Sequence, residues 1–205
     1  MHTRVPFAGP KDTSVQLRTL RDDDVESYRA LRLRALREEP LAFSDDFDDE
    51  RDLAREHFRA AMGDSVEHFT IGAFDERSAL VGIATFKRDA RRKARHKASL
   101  HTMYVHREAR RSGVGALLLE RVIDAARALG VEQIHLWVLD PTRSTATRLY
   151  QSVGFARQGA LVRDDLWVGE RYVDAEYMTL ALARGGTGRG EGSEGAGGRD
   201  RSATG

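Results

Sequence analysis

The 205-residue chain contains no cysteine. That excludes disulfides, thiolate metal sites and a cysteine nucleophile, and it fits a reducing compartment. No apolar run approaches the ~20 residues a membrane-spanning helix needs. The opening stretch MHTRVPFAGPKDTS lacks the apolar segment of a secretory signal, so the expected location is cytoplasmic. Excess charge of one sign is also missing. Thirty-three Lys and Arg against 32 Asp and Glu leave +1, so no global charge draws the chain to nucleic acid. No His/Asp/Glu set has metal-ligand spacing, and no metal is expected. What remains is 40% hydrophobic and 32% charged. That suits one soluble domain, with a real core and short tails.

The tails are read from composition. Residues 1–13 are polar and carry Pro6, Gly9 and Pro10. Residues 184–205 read RGGTGRGEGSEGAGGRDRSATG, with nine glycines and no large apolar side chain. Such a segment cannot bury enough surface to offset its ordering entropy, and disorder is expected there. The domain is therefore 14–183. Within it, VQLRTL (15–20) alternates as a strand. Val25, Tyr28, Leu31, Ala35 and Leu36 make a helical stripe over 23–38, and a second helix is expected over 48–62. Three strands follow in series: 68–75, 79–88 and 97–105. Val114, Leu118, Val122 and Leu129 mark a helix that Gly130 ends. A strand over 133–140, a helix over 142–152 and closing strands over 155–163 and 170–182 complete the series. Three consecutive strands before a β-α-β-α run predict an α/β fold with a mixed central sheet and flanking helices.

The strongest local signal is Arg110-Arg111-Ser112-Gly113-Val114-Gly115, between a strand and a helix. Glycine permits a tight turn and a close backbone approach. The first N–H groups of the helix, aided by its dipole, suit a pyrophosphate. A Walker loop would need Lys-Ser/Thr after Gly115, where Ala116-Leu117 stand. A dinucleotide fingerprint would need glycine at Leu118. A turn that holds no ligand stays open on these residues alone.

Arg110-x-x-Gly113-x-Gly115 resembles the Gln/Arg-x-x-Gly-x-Gly/Ala loop of the GNAT (GCN5-related) N-acetyltransferases. At the expected distance, LDPTRSTATRLYQSVGF (139–155) is similar to a second family motif, matching at Ala146, Leu149, Tyr150, Gly154 and Phe155. Where the commonest form has Asn, Arg143 stands. The resemblance spans about 15–183. It implies the family's fold, with a splayed pair of parallel strands, 97–105 and 133–140, and acetyl-CoA as cosubstrate between them. Backbone groups of Met103, Tyr104 and Val105 would meet the pantetheine arm. The N–H groups of Arg111, Ser112, Gly113, Val114, Gly115 and Ala116 would hold the pyrophosphate beside Arg110, with Arg143 at the cofactor. An N–H near Val105 would polarise the thioester carbonyl.

The implied reaction is acetyl transfer to an amine. Deprotonating an ordinary alkylamine at pH 7 costs about 4.6 kcal/mol. A base or a water chain is therefore needed. Tyr150 stands where relatives place a general acid for the leaving thiolate; packing against the cofactor is the alternative. His101 is the candidate base. Alternation puts it on the face of Met103 and Val105, and its ordinary pKa suits the task; a structural histidine is the other reading. Glu67, His68 and Glu50 are weaker candidates.

Two charge clusters stand out. FSDDFDDERD (43–52) holds six acids and is either a solvated helix start or a rim that steers a cationic amine. KRDARRKARHK (87–97) holds seven Lys or Arg against one acid and is expected at a hairpin tip, either as a solvated loop or in contact with an acidic partner, RNA or the CoA 3′-phosphate. The acceptor is a small cationic molecule, an amino acid or a protein amine. A non-catalytic acyl-CoA sensor is the alternative function, and an aminoacyl-tRNA acetylating toxin is a further one. A homodimer is left open.

Overall fold

β1 (Gln16–Thr19) opens the sheet and hands the chain through Leu20 to a 3-10 turn over Asp22–Asp24. Asp24 fixes that corner by accepting from the Arg21 backbone N–H at 2.8 Å and from Arg18 at 2.6 and 2.7 Å. The computed structural model describes residues 15–182. The predicted tails lie outside the described residues.

The helical stripe read from the sequence forms α1 (Val25–Glu38) and is buried along its length. The expected helix over 48–62 is two pieces, α2 (Phe47–Glu50) and α3 (Arg55–Met62). Asp46 caps the first piece through the Asp48 N–H at 2.8 Å. β2 (His68–Phe74), β3 (Leu80–Arg88) and β4 (Lys97–Val105) then run as an antiparallel meander. α4 (Val114–Ala128) crosses to β5 (Gln133–Leu139), which lies parallel to β4. α5 (Thr145–Ser152) leads to the closing strands. The expected strand over 155–163 is instead a two-residue β6 (Ala156–Arg157) and a separate β7 (Val162–Val168), with Gly159 at φ 83° between them. Both lie against the long β8 (Arg171–Ala181). The sheet order is β1-β2-β3-β4-β5-β8-β6, with β7 also on β8.

Two cores flank this mixed sheet. One packs α4 and α5 on Phe69, Ile71, Phe86, Leu100, Ile134, Leu136 and Met178. The other packs α1 and α3 on Phe74, Ile83 and Tyr104. Among the described residues, no helix is long and apolar enough to cross a membrane, and no group of three or more His, Asp or Glu could hold a metal ion.

Candidate active site

β4 and β5 pair only over Lys97–Ser99 and Gln133–His135. Both strands continue beyond that row without each other, so the sheet opens. A cleft of about 890 Å³ fills the opening. Its walls are Met103, Tyr104 and Val105 of β4, Leu139 at the end of β5, the turn before α4, and Leu149 and Tyr150 of α5.

Two observations define the β4 wall. Thr102 has φ 43°, and the β3–β4 register shifts between Ile83 and Thr85. This bulge gives β4 an extra residue. Second, the His106 N–H donates to Val81 C=O at 2.8 Å, just beyond the Gly82–Val105 pair. That bond marks the pair as non-hydrogen-bonded, so the N–H and C=O of Val105 face away from β3, into the opening. The carbonyl is taken by Arg110 Nε at 2.9 Å. The N–H is the group left to meet a ligand.

The turn before α4 is backbone made ready for an anion. Arg111 (φ 62°) and Gly113 (φ 88°) are both left-handed. Only glycine takes that conformation without penalty, so Arg111 stores strain at the cleft. Ser112 Oγ donates to Ala109 C=O at 2.7 Å and fixes the turn. The first bond into α4 runs from Leu117 N–H to Gly113 C=O at 3.1 Å. The N–H groups of Val114, Gly115 and Ala116 therefore have no partner within the helix. Gly115 lies at the cleft floor, where a Cβ would stand 3.0 Å from the end of the Leu149 side chain and 3.7 Å from that of Met103.

The matching model for this stretch is that of the acetyltransferase (GNAT) family, over residues 28–155. The chain belongs to that family. Its general activity is acetyl transfer from acetyl-CoA. A GNAT-family acetyltransferase from Streptococcus pneumoniae is 25% identical, with a TM-score of 0.72 over 82% of this chain and 100% of that one. A GCN5-related N-acetyltransferase from Kribbella flavida is also 25% identical, with a TM-score of 0.71 over 82% and 98%. A phosphinothricin acetyltransferase from Sinorhizobium meliloti, solved with AcCoA, shares the fold at 22% identity, with a TM-score of 0.67 over 82% and 89%. No curated protein matches.

The GNAT cleft gathers Met103, Tyr104, Val105, Arg110, Arg111, Gly113, Gly115, Ala116, Arg143 and Tyr150 from the residues singled out in the sequence. Val114 turns into the α4 core, and Ser112 serves the turn. The donor set fits acetyl-CoA: unpaired helix N–H groups and Arg111 and Arg143 for phosphate, and an apolar wall of Met103, Val105 and Leu149 for the arm. Arg110 is already engaged. Besides Val105 it grips Glu39 at 2.8 Å and lies over the Tyr104 ring at 5.6 Å. It ties the end of β4 to the end of α1.

His101 departs from its expected placement. The bulge at Thr102 breaks the alternation. Leu100, Met103 and Val105 face α4, while His101 and Tyr104 face α1. His101 therefore stands outside the cleft lining, with Ser99 Oγ 2.7 Å from its Nε2. Partial burial, then Lys87, His135 and His68, hold its pKa below the usual value. Tyr150 is buried against Phe155, rings 5.8 Å apart, and burial pushes its hydroxyl pKa well up. Tyr104 is pushed up to about 12 by burial and by the Glu38 carboxylate, to which it donates at 3.0 Å.

Composition and motif spacing gave no sign of one part of the site. Leu41, Ala42 and Phe43 form the lip on the α1 side, with Glu39. Leu41 and Ala42 lie in a 3-10 turn, Pro40–Ala42, too short to leave a periodic pattern in the sequence, with Pro40 at its first position as a local signal.

Proposed function

We propose that this chain transfers the acetyl group of acetyl-CoA to a primary amine by direct attack in a ternary complex. The observation that carries this is the parallel β4–β5 pair that stops at Ser99 and His135, with the α4 N-terminus at the opening. The amine nitrogen attacks the thioester carbon. The C–N bond forms, the C–S bond breaks, and one proton passes from nitrogen to sulfur. Developing charge on the carbonyl oxygen meets the Val105 N–H, a donor already oriented and needing no reorganisation.

Tyr150 serves the leaving sulfur. Its raised pKa keeps the hydroxyl protonated across the neutral range. A thiol pKa lies near ~8.5, so full transfer from Tyr150 is uphill on its own. The hydroxyl releases its proton as the amine's proton replaces it. The acceptor arrives as an ammonium. His101, on the acceptor side of the strand opening and kept neutral at pH 7 by its lowered pKa, takes that extra proton through water before attack; the second amine proton is the one that replaces the proton Tyr150 gives to sulfur. The acceptor enters past Leu41, Ala42 and Phe43.

The test is release of free CoA from acetyl-CoA with a panel of amines and peptides, beside calorimetry of acetyl-CoA binding. Acceptor-dependent release is expected, and Tyr150→Phe lowers kcat about 100-fold with acetyl-CoA affinity unchanged. Binding without release across the panel would favour an acyl-CoA sensor. Absence of binding would overturn the assignment.

A further inference from the structure

On the α1 side of the sheet, next to the cleft, lies a face that, among the described residues, no α-helix covers; the short 3-10 turn Pro40–Ala42 touches β5. Alternation along β5 sends Ile134, Leu136 and Val138 into the α4 core. His135, Trp137 and Leu139 take the opposite face. No residue of β5 or β8 joins the core under α1 and α3. Leu139 lines the cleft. Two residues further from it, Trp137 is 54% exposed. Tyr177 of β8 sits opposite, its ring 5.1 Å from Trp137 and 5.6 Å from His135. β4 adds His101, Ser99 and Lys97 to the same face.

This face ends at the basic β3–β4 connection. Part of that charge is spent internally. Arg91 pairs with Asp89, and Arg88 and Arg95 pair with Glu67. Lys87, Arg92 and Lys93 are exposed and, among the described residues, enter no ion pair. Lys87 lies in register between His68 and Ser99, on the His101 side. From Leu139 to Gln133, level with Lys97, the strand rise spans about 20 Å. An extended peptide covers that in about six residues.

We propose that the acceptor is a polypeptide. Its amine enters the cleft, an apolar side chain rests on Trp137, and acidic residues about five to seven positions from the amine meet Lys87, Arg92 and Lys93. This deepens the acetyl-transfer assignment above and rests on it. Charge complementarity selects the acidic chain. RNA would ask for a row of neutralised phosphates and flat stacking surfaces. Three exposed free cations beside the half-buried Lys97, with one exposed indole, Trp137, make no such row. A small amine would fill the cleft and leave the indole unused.

The probe is a synthetic eight-residue peptide with a free N-terminus, a C-terminal fluorophore and Asp or Glu at its last three positions. Its control carries Asn or Gln there. Anisotropy is read on the full chain saturated with CoA. The acidic peptide is expected to bind about tenfold tighter, since three exposed pairs contribute a few tenths to about 1 kcal/mol each. The preference shrinks with added salt. Lys87→Ala, Arg92→Ala and Lys93→Ala together abolish it while CoA affinity holds. Trp137→Ala weakens both peptides alike. Equal binding of the two peptides, a preference that survives the triple substitution, or tighter binding of an RNA octamer than of the acidic peptide would overturn the proposal. Binding is read without turnover, so these outcomes leave acetyl transfer standing; loss of CoA binding by the unaltered chain would instead strike the acetyl-transfer assignment.

Discussion

Arg32 is buried in α1, its side chain 6% exposed, and it reaches two carboxylates. Glu50 accepts at 2.6 and 3.1 Å, and Asp45 at 2.6 Å. The guanidinium also lies 5.0 Å from the Phe43 ring, which lines the cleft lip. Much of the acidic cluster that reads as a steering rim is thus engaged internally. Asp45 and Glu50 hold Arg32, Asp46 caps α2, and Asp48 and Asp52 pair with Arg51. Glu50→Ala would leave a buried cation with only the solvent-facing Asp45. The expected loss is about 3–5 kcal/mol, read as a shift in urea midpoint. Because Phe43 rests on the same guanidinium, the acceptor KM should rise while the acetyl-CoA KM holds. Arg32→Met with Glu50→Leu should recover most of the stability, since an apolar pair of similar volume tolerates burial, without restoring the acceptor KM. Equal stability of Glu50→Ala and the parent would show that Arg32 needs no partner there.

At the scale of elements, the turn into α4 separates two glycines that a motif treats alike. Gly113 is left-handed at φ 88°. Gly115 is already inside the helix. Alanine at Gly113 should cost about 1–2 kcal/mol and weaken acetyl-CoA binding about tenfold, because the N–H groups lose their aim. Alanine at Gly115 gains helix propensity, up to about 1 kcal/mol, and its nearest neighbour is the flexible end of Leu149. Binding there should stay within about twofold. Gly130→Ala is the control, with φ 67°, open space around it and no place in the cleft; it should lose stability without losing acetyl-CoA. Calorimetry and urea melts on the three variants decide the matter. Elements with strong periodicity, such as α1, α4 and the β2–β4 meander, were legible to within a residue or two. The β4 face was not. A bulge is set by register against β3, which period-2 alternation along β4 cannot contain, and so His101 moved to the other side of the sheet. The break at Gly159 was missed for a related reason. Val162–Val168 pairs along β8 but carries Asp164 and Asp165 on an exposed edge, so its hydrophobic pattern is weak.

For the whole molecule, the row of histidines on the α1 side makes stability depend on pH in the neutral range. His68, His101 and His135 lie on β2, β4 and β5. Burial is the largest cause holding each pKa below the usual value. Lys87 adds to it for His68 and His101, and Lys97 for His135; Asp64, Asp45 and Asp89 oppose it in the same order. The folded state therefore resists protons that the unfolded chain accepts near ~6.5. Where the unfolded state binds more protons, stability rises with pH. The contribution is complete above the unfolded value and is lost as pH falls through it. A second loss belongs to Asp22, Asp24 and Asp140, whose pKa values their arginine partners hold below the carboxylate range. That loss begins only as pH drops below ~4. The urea midpoint should thus fall between pH 7.5 and 5, well before the carboxylates titrate. Replacing His68, His101 and His135 together by Asn should flatten that first fall and leave the second in place. A midpoint constant from pH 7.5 to 5 in the parent would mean that the three rings titrate alike folded and unfolded, and that the sheet face around Lys87 is more hydrated than its packing implies.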